Sequence, residues 1–251
     1  MAYAGICAPQ NVQGSSDDYF HQRSLVTIWA NISSGISSSC PTLSNSGNAA
    51  PTADAGLNYI IPQSTPYKLT ASSTDADGIG GHTYTWEQYD LGPAGVPTET
   101  TESGPLTRSF EGTTDPVRYI PRLPDLLSNY GSTTWEKLVS IGRPMNYRVT
   151  VRDNDVRGGQ TAVDDMRVTV SPVVGEFKVT SQTQDELVWT PATTETITWD
   201  FAGTTASGIN TSNVNILLST DGGLTYDTVL AANTPNDGSE TITVPNVSAP
   251  F

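Results

Sequence analysis

Two alternating runs joined by an acidic, glycine-containing turn limit the folds open to this chain more than any other stretch. Tyr67-Lys68-Leu69-Thr70-Ala71-Ser72 runs into Thr74-Asp75-Ala76-Asp77-Gly78, and His82-Thr83-Tyr84-Thr85-Trp86-Glu87 follows. Strand side chains change face at every residue, so each run offers one face to a core and one to water, as neighbouring strands of a β-sandwich do. The arrangement returns later. Met145-Asn146-Tyr147-Arg148-Val149-Thr150-Val151 alternates, Arg152-Asp153-Asn154-Asp155 turns, and Met166-Arg167-Val168-Thr169-Val170 alternates again.

The 251 residues favour two or three domains. A net charge of -14 repels phosphate backbones and anionic lipid, which argues against nucleic-acid partners. Charge is uneven: residues 1–47 hold 2 acids and 1 base, residues 48–172 hold 15 and 10, and residues 173–251 hold 9 and 1. No apolar run is long enough for membrane insertion. No signal peptide stands ahead of Met1, but the Ser/Thr-rich strands, the low lysine content and the pair Cys7 and Cys40 point to a secreted or cell-surface setting. A bridge between those cysteines would close a loop of about 33 residues and stabilise by roughly 3–4 kcal/mol. Two buried free thiols are the alternative.

Residues 1–47 differ from the rest. Ser16 is expected to cap a helix whose first turn carries Asp17 and Asp18, favoured by the positive end of the helix dipole. Tyr19, Phe20, Leu25, Val26, Trp29 and Ile32 then draw one apolar stripe before Ser33-Ser34-Gly35 ends the helix. A lone helix cannot bury such a stripe. It must dock on the sandwich behind it or on a domain that is not in this chain.

Met1-Ala2-Tyr3-Ala4-Gly5-Ile6-Cys7, followed by Asp18-Tyr19-Phe20-His21, resembles the end of the catalytic domain in secreted bacterial reprolysin-like metzincin zinc peptidases. That resemblance implies that Met1 and Tyr3 are the remnant of a Met-turn and that the principal partner is a missing upstream catalytic domain. It implies no zinc in this chain, because His-Glu-x-x-His is absent and His21 and His82 cannot supply three ligands.

Residues 43–50 form a linker. From there to Pro172 the chain resembles polycystic-kidney-disease-type and cadherin-like immunoglobulin sandwiches, on Pro51-Thr52-Ala53-Asp54-Ala55-Gly56, Ser73-Thr74-Asp75-Ala76-Asp77-Gly78, Tyr84-Thr85-Trp86, residues 147–154 and Gly158-Gly159. The likeness makes Trp86 the buried sandwich tryptophan. Residues 105–143 depart from it as an insertion, with short helical turns expected at 123–130 and 135–139. Residues 173–251 read as a second, Ser/Thr-rich sandwich that ends early. There Asp221-Gly222-Gly223 forms a hairpin turn within an Asp-box-like stretch, Ser219 to Tyr226. The expected architecture is therefore mainly β, with tandem immunoglobulin-like β-sandwiches at 48–172 and 173–251 preceded by a helical segment at 1–47.

The two acidic turns of such a sandwich share one end. Asp75, Asp77, Asp153 and Asp155 are thus candidate calcium ligands, with Asp164 and Asp165 in reserve, since converging carboxylates are commonly neutralised by a hard cation. The plainer alternative is that these acids shape their own turns. Glu87, Glu99, Glu102 and Glu111 near Trp86 and Tyr89 supply carboxylates beside rings, as a glycosidase needs, but on an exposed strand and loop. No serine or histidine sits in a nucleophile motif.

The expectation is a non-catalytic accessory region of a secreted zinc metallopeptidase, acting as spacer, stabiliser or targeting module toward polysaccharide or protein. The alternative is a carbohydrate-binding or adhesion module presenting Trp86, Tyr89, Tyr119, Tyr130 or Trp135 to a sugar. Two or more of these rings on one open surface would favour binding.

Overall fold

The computed structural model describes residues 5, 8–129, 132–184 and 186–247. They form a mainly β fold of sandwich type. The first unit contains β1 (Tyr59–Ile61), β2 (Tyr67–Thr70), β3 (Thr83–Gln88), β4 (Val117–Ile120), β5 (Arg143–Arg152) and β6 (Thr161–Val170). Its four-stranded sheet runs β1-β6-β5-β3, with β1 parallel to β6 and the other pairs antiparallel. A second sheet pairs β2 with β4.

The alternation seen in the sequence sets what lies between these sheets. On β5, Met145, Tyr147, Val149 and Val151 are buried, and Met166, Val168 and Val170 follow the same period on β6. Leu69 and Ile120 close the core from the other sheet, and Trp86, only 3% exposed, fills it from β3. Tyr67 and Tyr147 share a 2.6 Å hydrogen bond between their hydroxyls inside this core, and burial pushes the Tyr147 phenol up to about 12.

The second unit has β7 (Lys178–Val179), β8 (Thr194–Asp200), β9 (Asn213–Leu218), β10 (Thr228–Pro235) and β11 (Ser239–Thr243), in sheets β11-β8-β7 and β10-β9. Ile197, Trp199, Ile242 and Val244 form its buried cluster. Asp221 organises the β9–β10 connection, accepting from the Leu224 and Thr225 amides at 3.0 and 2.9 Å and from the Ser219 hydroxyl at 2.7 Å. These donors, the Thr225 amide foremost, hold its carboxyl down at about 2. The stretch is thus a self-satisfied turn.

Two expectations need correction. Helix α1 spans Gln22–Ser34, five residues later than a Ser16 cap implies, and its N-cap is His21, whose Nδ1 accepts from the Arg23 amide at 3.2 Å. Asp17 lies outside it and accepts from Gln13 Nε2. The start is moved by the sheet, which supplies the first turn with partners of its own. Within the insertion, α2 (Leu123–Asn129) is helical as expected, whereas the helical turn expected at 135–139 is extended. There Glu136 bridges to Thr107, and Lys137 N–H donates to Leu106 O at 3.0 Å. The insertion also supplies β4, a strand of the second sheet. Met1, Tyr3 and Cys7 lie outside the described residues, so the Met-turn and the Cys7–Cys40 bridge do too; Cys40 is exposed.

Candidate functional site

The two acidic turns do meet. Arg157 lies between them, with Nη2 2.7 Å from Asp155 Oδ2 and 3.1 Å from Asp77 Oδ2. Its hydrogen bonds hold the Asp155 carboxyl down at about 2. The other two acids are engaged separately. Asp153 accepts from Asn48 Nδ2 at 2.7 Å and from the Gln160 amide at 2.8 Å, which outweighs desolvation and lowers its pKa. Asp75 Oδ1 accepts from the Asp77 amide, and its Oδ2 stands 3.5 Å from His82 Nε2. Asp164 accepts from the Ala55 amide, and Asp165 pairs with Arg148. A guanidinium thus stands between two of the four candidate calcium ligands. Among the described residues no three acidic, histidine or cysteine side chains gather as a metal ion requires.

A second cluster joins α1 to the sheet. Residues 83, 85 and 87 of β3 share the face opposite the core, paired across to Arg152, Thr150 and Arg148 of β5. Glu87 on that face is 1% exposed, and its Oε2 accepts the Gln22 amide, the first N–H of α1, at 2.9 Å. His21 Nε2 lies 3.4 Å from Oε1, Arg152 donates to Phe20 O at 3.1 Å, and Arg148 donates to Gln22 Oε1 at 3.0 Å. A buried carboxylate at a helix N-terminus supplements a weak local cap. Desolvation pushes Glu87 up to about 7 against the pull of the Gln22 amide and of Arg152, Arg118 and Arg148, and burial lowers His21. Glu87 therefore anchors the helix and is not a solvated acid, as its strand position suggested. Its expected companions do not join it: Glu102 and Glu111 are exposed, and Glu99 pairs with Lys137 at 3.1 Å.

Beyond that anchor α1 is bare. Gln22 is its one buried residue, while Trp29 is 69% exposed and Val26, Ile28 and Ile32 are exposed as well. The stripe read from the sequence exists, and the sandwich does not cover it.

The insertion builds a groove of about 320 Å³ at the β3–β4 edge of the sandwich. Tyr84 and Trp86 contribute from β3, Tyr119 from β4, and Phe110, Glu111 and Asp115 from the loop before β4. Phe110 is ringed by guanidiniums, with Arg122, Arg108 and Arg118 at 4.0, 4.6 and 4.9 Å from its ring centre. Arg118 is fixed by Glu136 at 2.6 Å and by donation to Trp86 O and Arg108 O. An adjoining depression of about 210 Å³ shares Phe110 and Arg122 and adds Trp135. Of the rings singled out in the sequence, Tyr119 lines this groove with Trp135 in the depression beside it, whereas Trp86 stands behind it, buried in the core at 3% exposed. Tyr89 lies apart under Arg148, and Tyr130 is outside the described residues. Phe110 and the arginines around it went unnoticed in the sequence. The one signal available was a run of basic residues, Arg108, Arg118 and Arg122, inside an otherwise acidic chain.

No protein-family model matches the chain, and no curated protein matches it. Among the described residues no helix is long and apolar enough to cross a membrane.

Proposed function

We propose that this chain is a non-catalytic accessory region, a β scaffold whose helix α1 packs against a neighbouring catalytic domain. The observation that carries this reading is α1 itself. Thirteen residues of helix are marginal in water without packing, yet α1 is fastened to β3 at one end and offers Val26, Ile28, Trp29 and Ile32 to solvent. A polar anchor with an uncovered apolar stripe suits a helix wedged between two bodies. The metzincin resemblance of residues 1–47 is what would make the neighbour a secreted zinc peptidase.

Two observations test the reading. The coding DNA upstream of Met1 should continue in frame through a His-Glu-x-x-His motif, and a stop codon shortly before Met1 would defeat it. The chain alone, supplied with zinc, should cleave no peptide, and chelator-sensitive cleavage would defeat the non-catalytic role. Calcium would enter only by displacing Arg157 from Asp77 and Asp155. A higher melting temperature in millimolar calcium, reversed by chelator, supports that site, and an unchanged one removes it.

A further inference from the structure

We infer that the groove walled by Phe110, Tyr119 and Arg122 is a binding site for a neutral oligosaccharide, which it holds and releases unchanged. This goes beyond the accessory role and stands whether or not a catalytic domain covers α1.

The site is built by parts a sandwich core does not need. The stretch before β4 and the start of α2 are additions to the strand framework, and long ordered insertions commonly carry function. Their packing is rigid: Phe110 is clamped among three guanidiniums, and Arg118 is tied to Glu136 and two carbonyls. What the groove leaves unused selects the ligand. Arg122 donates through Nε to Asp125, while its Nη1 and Nη2 make no hydrogen bond among the described residues. Among the described residues Glu111, which is exposed, accepts no hydrogen bond, and Asp115 uses Oδ1 for the Val117 amide, leaving Oδ2. A ligand must therefore accept from a guanidinium, donate to carboxylates and lay an apolar face on a ring. A pyranose does all three, since its vicinal hydroxyls both donate and accept and its C–H face is apolar.

Charge excludes the nearest competitors. Arg118 is matched by Glu136, Arg122 by Asp125 at 2.8 Å and Arg108 by Asp17 at 3.8 Å, so Glu111 and Asp115 leave the groove short of positive charge. The net charge of -14 repels a polyanion at longer range. A cationic side chain carries no acceptor to offer the Arg122 Nη1 and Nη2 donors. Length follows from the adjoining depression, which continues past Phe110 and Arg122 to Trp135 and gives room for further sugar units.

The test is an array of neutral gluco-, manno-, galacto- and chito-oligosaccharides with oligogalacturonate as the acidic control, followed by calorimetric titration of the strongest hit. Phe110→Ala would release three arginines at once and can unfold the loop, so the informative variant is Glu111→Ala at an exposed position. We expect a neutral glycan to bind, oligogalacturonate not to bind, and Glu111→Ala to weaken binding by about tenfold with an unchanged melting temperature. Binding of oligogalacturonate alone, no neutral hit, or wild-type affinity in Glu111→Ala overturns the assignment. New reducing ends during the titration overturn release unchanged and, separately, the non-catalytic reading.

Discussion

Among the described residues the first unit buries charged side chains, whereas the buried polar side chains of the second, Thr204, Thr234 and Asn236, are all neutral. In the first, Glu136 is 1% exposed and accepts from Arg118 at 2.6 Å and from the Arg122 amide at 3.1 Å, and Glu87, also 1% exposed, lies under the start of α1 on the outer face of β3. In the second, Asn236 accepts from Trp199 Nε1 at 2.8 Å and donates to Thr204 Oγ1 and Thr211 O, each at 2.9 Å. Buried ion pairs return little net stability because desolvation offsets their attraction, so their presence marks a demand other than holding the sheets together. These two carboxylates, Glu136 and Glu87, meet that demand at a surface feature. Arg118 and Glu136 brace the groove, and Glu87 anchors α1. The second unit lends the groove Leu224, and its buried Trp199 is held by neutral hydrogen bonds.

This contrast can be broken by substitution. Glu136→Ala should be the most damaging, since it strands Arg118 as a buried, unpaired cation and costs about 3–5 kcal/mol. Urea unfolding should show the first unit lost early while the second keeps its midpoint; equal loss in both would mean that the two cores are not separable.

The next effect depends on pH. Glu87 has a raised pKa in the fold, so proton binding favours the folded form. Its contribution is present in acid and is lost as pH rises from the usual carboxylate range through about 7. That fall amounts to at most about 3 kcal/mol. His21 acts in the opposite sense: its pKa is lowered, so its contribution is lost as pH falls below the usual imidazole range. Attachment of α1 should therefore be tightest in acid, near the usual carboxylate range, and weaken toward neutrality, with His21 offsetting part of the fall just below its usual range. Glu87→Gln should flatten the alkaline limb of the stability profile, and an unaltered limb would place the titration elsewhere. The second unit should show no matching slope.

Smallest of the three, Asn236→Ala removes the acceptor of Trp199 Nε1 and leaves a buried donor without a partner, for about 1–3 kcal/mol. The loss should fall on the second unit alone, visible as an earlier transition of the strands around Trp199. A larger loss than that of Glu136→Ala would reverse the contrast between the two interiors.

The strands were legible because alternation is local. Residues 145–151 and 166–170 became parts of β5 and β6, and Trp86 is buried, as the sandwich resemblance implied. The start of α1 was not legible, because Ser16 with Asp17 and Asp18 is a sound local cap that loses to Glu87, Arg148 and Arg152, which are remote in sequence. Likewise the meeting of the acidic turns followed from topology, but Arg157 between Asp77 and Asp155 did not, since its reach depends on side-chain geometry. The groove was hardest to foresee. Phe110, Arg118 and Glu136 have no shared period, and each gains meaning only when β4 carries the insertion against β3.

The account rests on α1 being a helix made for a second surface, and hydrogen exchange measures that directly. On this chain alone the α1 amides from Leu25 onward should exchange far faster than those of β5 and β6, and they should become protected when the proposed neighbouring catalytic domain is joined to the chain. Equal protection of α1 with and without that domain would contradict it.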